Sequence, residues 1–490
     1  MSFGNALRQK IPIIRFFVEF QKTIWYPILF ALLCVISGTH GYKVYLPILI
    51  VLCAFVMFSV LFADDNKVFL VPLFMIYFAV GFDNPPYSYT TSNGDMFASF
   101  NENALKVIIG CAVVIIAAFI IRLICDGSIK AAFTERRAMT LSILGLDLAF
   151  ILNGVLGPDA QVRNLLYGII ISSGITLVYF LVYGMLHKSS DVVTYGCKVS
   201  VCASYVVLGQ ILLIFVRNYI NDTLFFTWGN NVINHMNFYL GWGVTTVVGA
   251  VLVLGIPAAF YVARKCKFSA FSYFSGFFFV LATLMLDSRS SIVAGTVIAF
   301  ACVVLACFRC KNKVACRIYA AITVLVPLGV LIYFVNFTDI LNTSVGDILK
   351  SVFEMHTGDS GRIEMWKNGI CDFKSAPIFG IGFTNGGYVV PDLNVYSNMY
   401  HCIGIEFLGA MGIVGCLAFF FHIYQLLRLF FNKVSVDKML LMMVPAMIIV
   451  MSMVDNFFFY FNFQIFYGAF LAFAEISIKE KEAENNLITE

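Results

Sequence analysis

The stretch YHCIGIEFLGAMGIVG, Tyr400 to Gly415, sets a histidine, His401, and a glutamate, Glu406, at the mouth of an otherwise apolar segment. Ionisable side chains are costly in hydrocarbon, so each one there is a functional candidate by default. At the rise and twist of an α-helix, Glu406 would lie about 7 Å below His401 and about 140° around from it. That suits Glu406 to orienting a neighbour better than to sharing a face with the histidine. Asp147, midway through LSILGLDLAFILNG, is a second such carboxylate. For both, pairing with a neighbouring helix is the alternative. On the side expected to face outward there are few arginines, and each is of interest: Arg163, Arg217, Arg289 and Arg362. Arg289, in LDSRSSIVAG, is pinned between two apolar runs, and its fork of donors suits a pair of phosphate oxygens. The alternative is an ion pair with Asp287 or a lipid headgroup.

The elements that must position these groups are membrane helices. Of 490 residues, 60% are hydrophobic and 12% charged, and the mean hydropathy is +0.89. Such a chain is an all-α, polytopic transmembrane bundle. Apolar runs fall at 23–39, 44–63, 68–83, 104–124, 138–156, 164–186, 199–216, 241–263, 268–286, 291–308, 318–336, 402–427, 439–455 and 457–476, about fourteen spans, with twelve or thirteen as alternatives. Residues 1–22 form an interfacial or cytoplasmic lead-in, in which LRQKIPIIRFFVEFQK mixes cations with bulky apolar side chains and lacks the cleavage pattern of a secretory signal. Residues 23–336 hold about eleven of the helices, 337–400 form a long loop, 401–476 hold about three more, and 477–490 are a tail.

Lysine and arginine accumulate on the cytoplasmic side. With the N-terminus inside, the clusters ERR, RKCK and RCKNKVACR all fall in inner loops. Both termini are then cytoplasmic, and the long loop, His401 and the four arginines face outward. The net charge of +4 is spread over inner loops without a basic patch, so nucleic acid is not an expected partner. Of the fourteen cysteines, Cys371 and Cys402 lie near the outer face, where either a disulfide or two free thiols is open. The pair in CFRC, Cys307 and Cys310, has no second pair to complete a zinc site. The outer segments have no DxD or ExD pair, and the chain has no Walker loop, HExxH motif or GxSxG motif in context. No metal and no cofactor are expected.

Outer loops 84–103 and 217–240 are of intermediate length, and the one from Asn336 to Tyr400 is much longer. Loops of that length with internal structure usually carry function. Within it, DSGRIEMWKNGICDFKS reads as an amphipathic helix with Ile363, Trp366, Ile370 and Phe373 on one stripe, facing the bundle, and Asp359 or Ser360 as its cap. APIFGIGFTNGG then ends it and permits close backbone approach. Gly404, Gly409, Gly412 and Gly415 would let helices pack closely.

In order and spacing, DSRSSIVAG, GRIEMWKNGICDFKSAPIFGIGF and YHCIGIEFLGAMGIVG resemble the C-terminal half of the bacterial O-antigen ligase and O-antigen polymerase superfamily. That half carries an arginine and a tryptophan in a long extracytoplasmic loop, a proline-hydrophobic-GxG turn, and a histidine nine residues beyond its neighbour from a GxxG. His401 and Gly412 to Gly415 fit that spacing; Cys402 departs from the polar residue that ligases carry after the histidine. The resemblance spans roughly residues 285–416. It implies an inner-membrane glycosyltransferase that needs no metal, inverts at the anomeric carbon, and draws on a polyprenyl-diphosphate-linked oligosaccharide at the outer face. Membrane lipids and other polysaccharide-assembly proteins are the further implied partners. Arg289 and Arg362 match the family's arginines, which hold the diphosphate and stabilise it as it leaves. His401 would be the general base, a role suited to an imidazole of ordinary pKa about 6.5. Arg163, Arg217, Trp366 and Glu406 are further substrate-binding candidates.

Two functions share this machinery: a polymerase that joins lipid-linked repeat units, and a ligase that moves a finished glycan to a different acceptor. Cys402, and a span count above that of the ligases, favour the polymerase. A lipid-linked oligosaccharide flippase, the alternative of another class, would place its charges in a central cavity between similar halves; the chain has no internal repeat.

Overall fold

The computed structural model describes residues 11–81, 102–125, 137–158, 162–187, 189, 191–220, 239–267, 269–284, 286, 288–308, 312–323, 325, 362–385, 388–390, 395–397 and 399–489. Backbone amides and carbonyls buried in lipid must pair within their own segment, and the apolar runs accordingly fold as helices. In chain order these are α1 (Pro12–Gln21), α2 (Trp25–Gly38), α3 (Tyr42–Phe62), α4 (Leu70–Met75), α5 (Glu102–Cys125), α6 (Thr140–Leu156), α7 (Val162–Leu186) and α8 (Val192–Ile220). After them come α9 (Thr245–Lys265), α10 (Ala270–Leu284), α11 (Arg289–Cys307), α12 (Arg362–Ser375), α13 (Gly412–Phe431), α14 (Val436–Met451) and α15 (Phe461–Thr489). Two short antiparallel ribbons pair Tyr239–Leu240 with Gly243–Val244 and Tyr388–Val390 with Val395–Ser397.

The chain is an all-α, multi-pass membrane protein. Among the described residues, eight helices are long and apolar enough to span a bilayer, or nine if α1 and α2, which meet at 85°, make one span. Three more of the expected runs fold as shorter apolar helices, Asn66–Ala79, Thr140–Leu156 and Ala270–Thr283. The run at 318–336 lies mostly outside the described residues. So do the cap at Asp359 or Ser360, Asp287, Cys310 and most of loops 84–103 and 217–240.

Two helices form the axis of the bundle. Every residue from Val247 to Ala263 of α9 is buried, packed among α8, α10, α11 and α14. The first half of α15, from Asn462 on, is buried as well, between α7 and α14. Helix α5, by contrast, exposes Ile109, Val113, Ile120 and Ile124, the surface a lipid-facing helix presents.

Helix α12 forms where the loop was expected to be helical, but its buried face differs from the expected stripe. Met365 and Gly369 are the buried residues, whereas Ile363 and Ile370 are 52% and 41% exposed. The reason is backbone proximity: the bare Gly369 lies against Ile405, Tyr400 and the Gly409 backbone, which a side chain at that position would push away. Only Trp366 of the expected stripe turns inward. It donates from its indole N–H to the Tyr400 carbonyl at 3.1 Å.

Candidate active site

The apolar run at 402–427 is not one helix. Residues Ile403–Ile405 make a single turn, Glu406–Ala410 widen into a π-helical turn, and the long helix α13 restarts at Gly412, whose φ is +65°. π-Helical turns are rare and concentrate at functional sites. Here the break exposes backbone groups that the loop satisfies. The Ile381 and Gly382 amides donate to the Gly409 and Ala410 carbonyls at 3.2 and 3.1 Å, and the Ile413 and Val414 amides donate to the Pro377 and Ile378 carbonyls at 2.9 and 3.1 Å. The proline-hydrophobic-GxG turn and the GxxG segment are therefore two halves of one backbone-to-backbone joint. Gly380, with φ +70°, meets the Ala410 backbone directly, and a Cβ on Gly412 would sit 2.6 Å from the Ile378 carbonyl oxygen.

One side chain from the bundle locks this joint. Asn153, near the end of α6 and 1% exposed, donates to the Phe379 and Ala410 carbonyls and accepts from the Phe383 amide at 3.0 Å. Under it, Phe150, Phe383, Phe407 and Phe459 form an aromatic floor, with Phe150 and Phe383 at 5.3 Å and Phe407 and Phe459 at 5.8 Å between centroids. Rings packed edge to face gain beyond their buried area, so α6, the loop turn, the π-helical turn and Phe457–Phe459 move as one body.

On that body sits His401. Its Nδ1 is 3.0 Å from Asp455 Oδ1. Asp455 lies in the link between α14 and α15, where the expected span 439–455 has already ended at Met451. The link is folded toward the histidine through Ser452. The Ile403 amide donates to the Ser452 carbonyl at 2.8 Å, and the Phe458 amide donates to Ser452 Oγ at 2.8 Å. Burial alone would raise the Asp455 pKa. The hydrogen bond and charge of His401, the Asn456 amide and the charge of Arg362 together hold it below the usual carboxylate range. An ionised carboxylate only accepts, so Nδ1 carries the proton toward Asp455, and in the neutral ring Nε2 then keeps its lone pair.

Arg362, the first residue of α12, thus belongs to the same group: its positive charge acts on Asp455. Helix α12 is held over the histidine by Tyr400, whose hydroxyl donates to Asp372 and whose carbonyl takes the Trp366 N–H. Glu406, 1% exposed, accepts from the Tyr400 amide through Oε2 at 3.0 Å. Burial pushes its pKa up to about 8, against a small lowering by that amide.

The structure brings together His401, Arg362, Trp366 and Glu406 of the sequence candidates. Arg217 belongs to another group, near the end of α8, where its Nη1 donates to the Thr39 carbonyl at 2.9 Å beside His40. Arg289 opens α11 and Arg163 lies in the first turn of α7; the side chains of both fall outside the described residues. Asp147 accepts from Thr176 Oγ1 at 2.6 Å, which ties α6 to α7. Cys371 is exposed, Cys402 is buried, and both are free thiols.

Sequence reasoning missed Asp455 and Asn153. Each was read as part of an apolar span. The only signal was a polar residue at the end of a run, Asn153 in ILNG and Asp455 in VDN.

A histidine with one nitrogen fixed by a carboxylate and the other available can take a proton from a hydroxyl, and the adjacent guanidinium can hold an anion. Residues 274–420 match a family model described as O-antigen ligase. The matched segment contains Arg289, Arg362, Trp366, His401 and the GxxG, and it ends before Asp455. A search of curated proteins finds no match to the chain.

Proposed function

We propose that this chain, whose residues 274–420 match a family model described as O-antigen ligase, is a membrane glycan-handling enzyme and, more closely, a polysaccharide polymerase. It joins polyprenyl-diphosphate-linked oligosaccharide repeat units at the outer face of the cytoplasmic membrane. The observation that carries this reading is the grouping of His401, Asp455 and Arg362 at one end of the bundle.

In this reaction the acceptor hydroxyl attacks the anomeric carbon of the donor from the face opposite the diphosphate. The new C–O bond forms as the bond to the leaving phosphate oxygen breaks, so the configuration inverts. His401 Nε2 takes the hydroxyl proton, and Asp455 holds the ring and stabilises the imidazolium that forms. General-base catalysis of this kind contributes about 10²- to 10⁴-fold. Arg362, with Arg289 as its sequence partner, binds the diphosphate and offsets the charge it gains on leaving. A diphosphate is already a good leaving group, so preorganised cations and a base suffice, without a metal.

The ligase reading is favoured by one observation, the description of the matching family model. Cys402 in place of a polar residue after the histidine favours the polymerase. Purified protein reconstituted with a lipid-linked repeat unit, its products resolved by mass, separates the two. A ladder at integer multiples of the repeat establishes the polymerase. Product only after a different acceptor is added establishes the ligase. Donor crossing the bilayer with no bond formed would reject both.

A further inference from the structure

The main chain at His401 is in an unusual state. Its φ is +51°, in the left-handed region that a residue with a Cβ adopts only when its surroundings over-determine it. On its C-terminal side the chain is tied by the Ile403 amide to Ser452, at the start of the α14–α15 link. On its N-terminal side three of the contacts described hold Tyr400, which is 2% exposed. Two of the anchors, Asp372 and Trp366, come from α12 and grip the Tyr400 hydroxyl and carbonyl. The third, on the Tyr400 amide, is Glu406, reaching back from the first residue of the π-helical turn. We propose that Glu406 is a positioning residue: its carboxyl holds the Tyr400 amide and so keeps the His401 backbone in the left-handed conformation from which the ring meets Asp455.

This inference rests on His401 being the base of the proposed reaction. The hydrogen bond needs only an acceptor at Oε2. The other oxygen, Oε1, is buried without a hydrogen-bond partner among the described residues, so nothing there calls for a negative charge. The charged groups on the elements packed around it are Arg362, Glu364, Lys367, Asp372 and Lys374 on α12, Arg428 at the far end of α13, His401, and Asp455 on the α14–α15 link. None of them makes a hydrogen bond or ion pair to Glu406 among the contacts described. The widened turn places Glu406 at its head, from which the carboxyl reaches back to the Tyr400 amide.

The test compares E406Q, which keeps an acceptor, with E406L, which keeps the volume and removes it, alongside H401A, in the mass-resolved transfer assay. Monodisperse elution and thermal unfolding in detergent are measured for each. E406L is expected to lower kcat about 10- to 100-fold, the scale of a misplaced catalytic group, with the donor KM within about three-fold of the parent. E406Q is expected to retain kcat within about three-fold. Parent-like kcat in E406L, or equal losses in E406L and E406Q, with H401A inactive, would overturn the positioning role. So would failure of E406L to fold while E406Q folds, since that assigns Glu406 to stability alone. An active H401A would instead remove the base, and the reading beneath this one would fall first.

Discussion

Asp455 meets His401 across 54 positions of sequence, Oδ1 to Nδ1 at 3.0 Å. The carboxylate comes from a link between two helices and the imidazole from the end of a loop, so the pair exists only when the last three helices are docked. H401A is expected to lower kcat by about 10²- to 10⁴-fold, the contribution of a general base. D455A should also lower kcat, with a smaller change in donor KM, because Asp455 acts through the ring. The D455N amide, which can present a donor to Nδ1, should not restore activity. Steady-state kinetics on the reconstituted enzyme check all three.

Arg362 acts on that pair through its positive charge, which lowers the Asp455 pKa. R362A should cost about 10²- to 10³-fold in kcat/KM, as for the loss of one preorganised donor to a developing anion. R362K should recover little of it, since an ammonium lacks the planar fork. Equal kcat/KM in R362K and the parent would show that only the charge matters.

Glu406 gives the protein a pH signature in stability. Its pKa is about 8 when folded, against 4.5 as the ordinary value, through burial. Below the ordinary value both states hold the proton and there is no penalty. As pH rises from there toward 8 the unfolded chain releases a proton that the folded chain retains, so stability falls; above 8 the full penalty is present. Thermal unfolding in detergent between pH 5 and pH 9 should show E406Q gaining on the parent as pH rises. A constant difference across that range would contradict the assignment.

The loop joint predicts a contrast among glycines. G380A places a Cβ against the Ala410 backbone at φ +70°, and G412A does the same against Ile378 at φ +65°; both should undock the loop and abolish transfer. G404A, whose Cβ would meet nothing within 4 Å, should be tolerated. N153A removes the partner of the buried Phe383 amide and of the part-buried Phe379 carbonyl, leaving the Ala410 carbonyl only its Gly382 donor; a buried group left unpaired costs about 1–3 kcal/mol, and proteolysis within 376–385 should speed up. Limited proteolysis of the four variants checks the order.

The bundle was legible in the sequence because hydropathy reports where the chain must be helical, and Arg362, Trp366 and His401 were legible because their types are rare in such surroundings. The rest lay in backbone geometry. The buried face of α12 is set by Gly369 against a carbonyl-rich turn, which an apolar stripe of Ile363 and Ile370 does not report. The break after Ala410 was hidden in an unbroken apolar run. Asp455 was hidden because a span edge is uncertain by the few residues that separate Met451 from it. Arg217 had the right type, but its partner is the Thr39 carbonyl, a pairing of α2 with α8 that no local pattern encodes.

The capping of α13 by the loop decides where positive charge can come from. A helix start carries roughly half an elementary charge on its free amides and often serves as an anion site. Here the Ile413 and Val414 amides are already bonded to the Pro377 and Ile378 carbonyls, so the dipole of the helix that follows His401 is directed at the protein's own loop. A diphosphate at this site would draw no help from that end of α13. Its counter-charge falls to side chains such as Arg362, and the loss of one has no substitute in the Ile413 and Val414 amides.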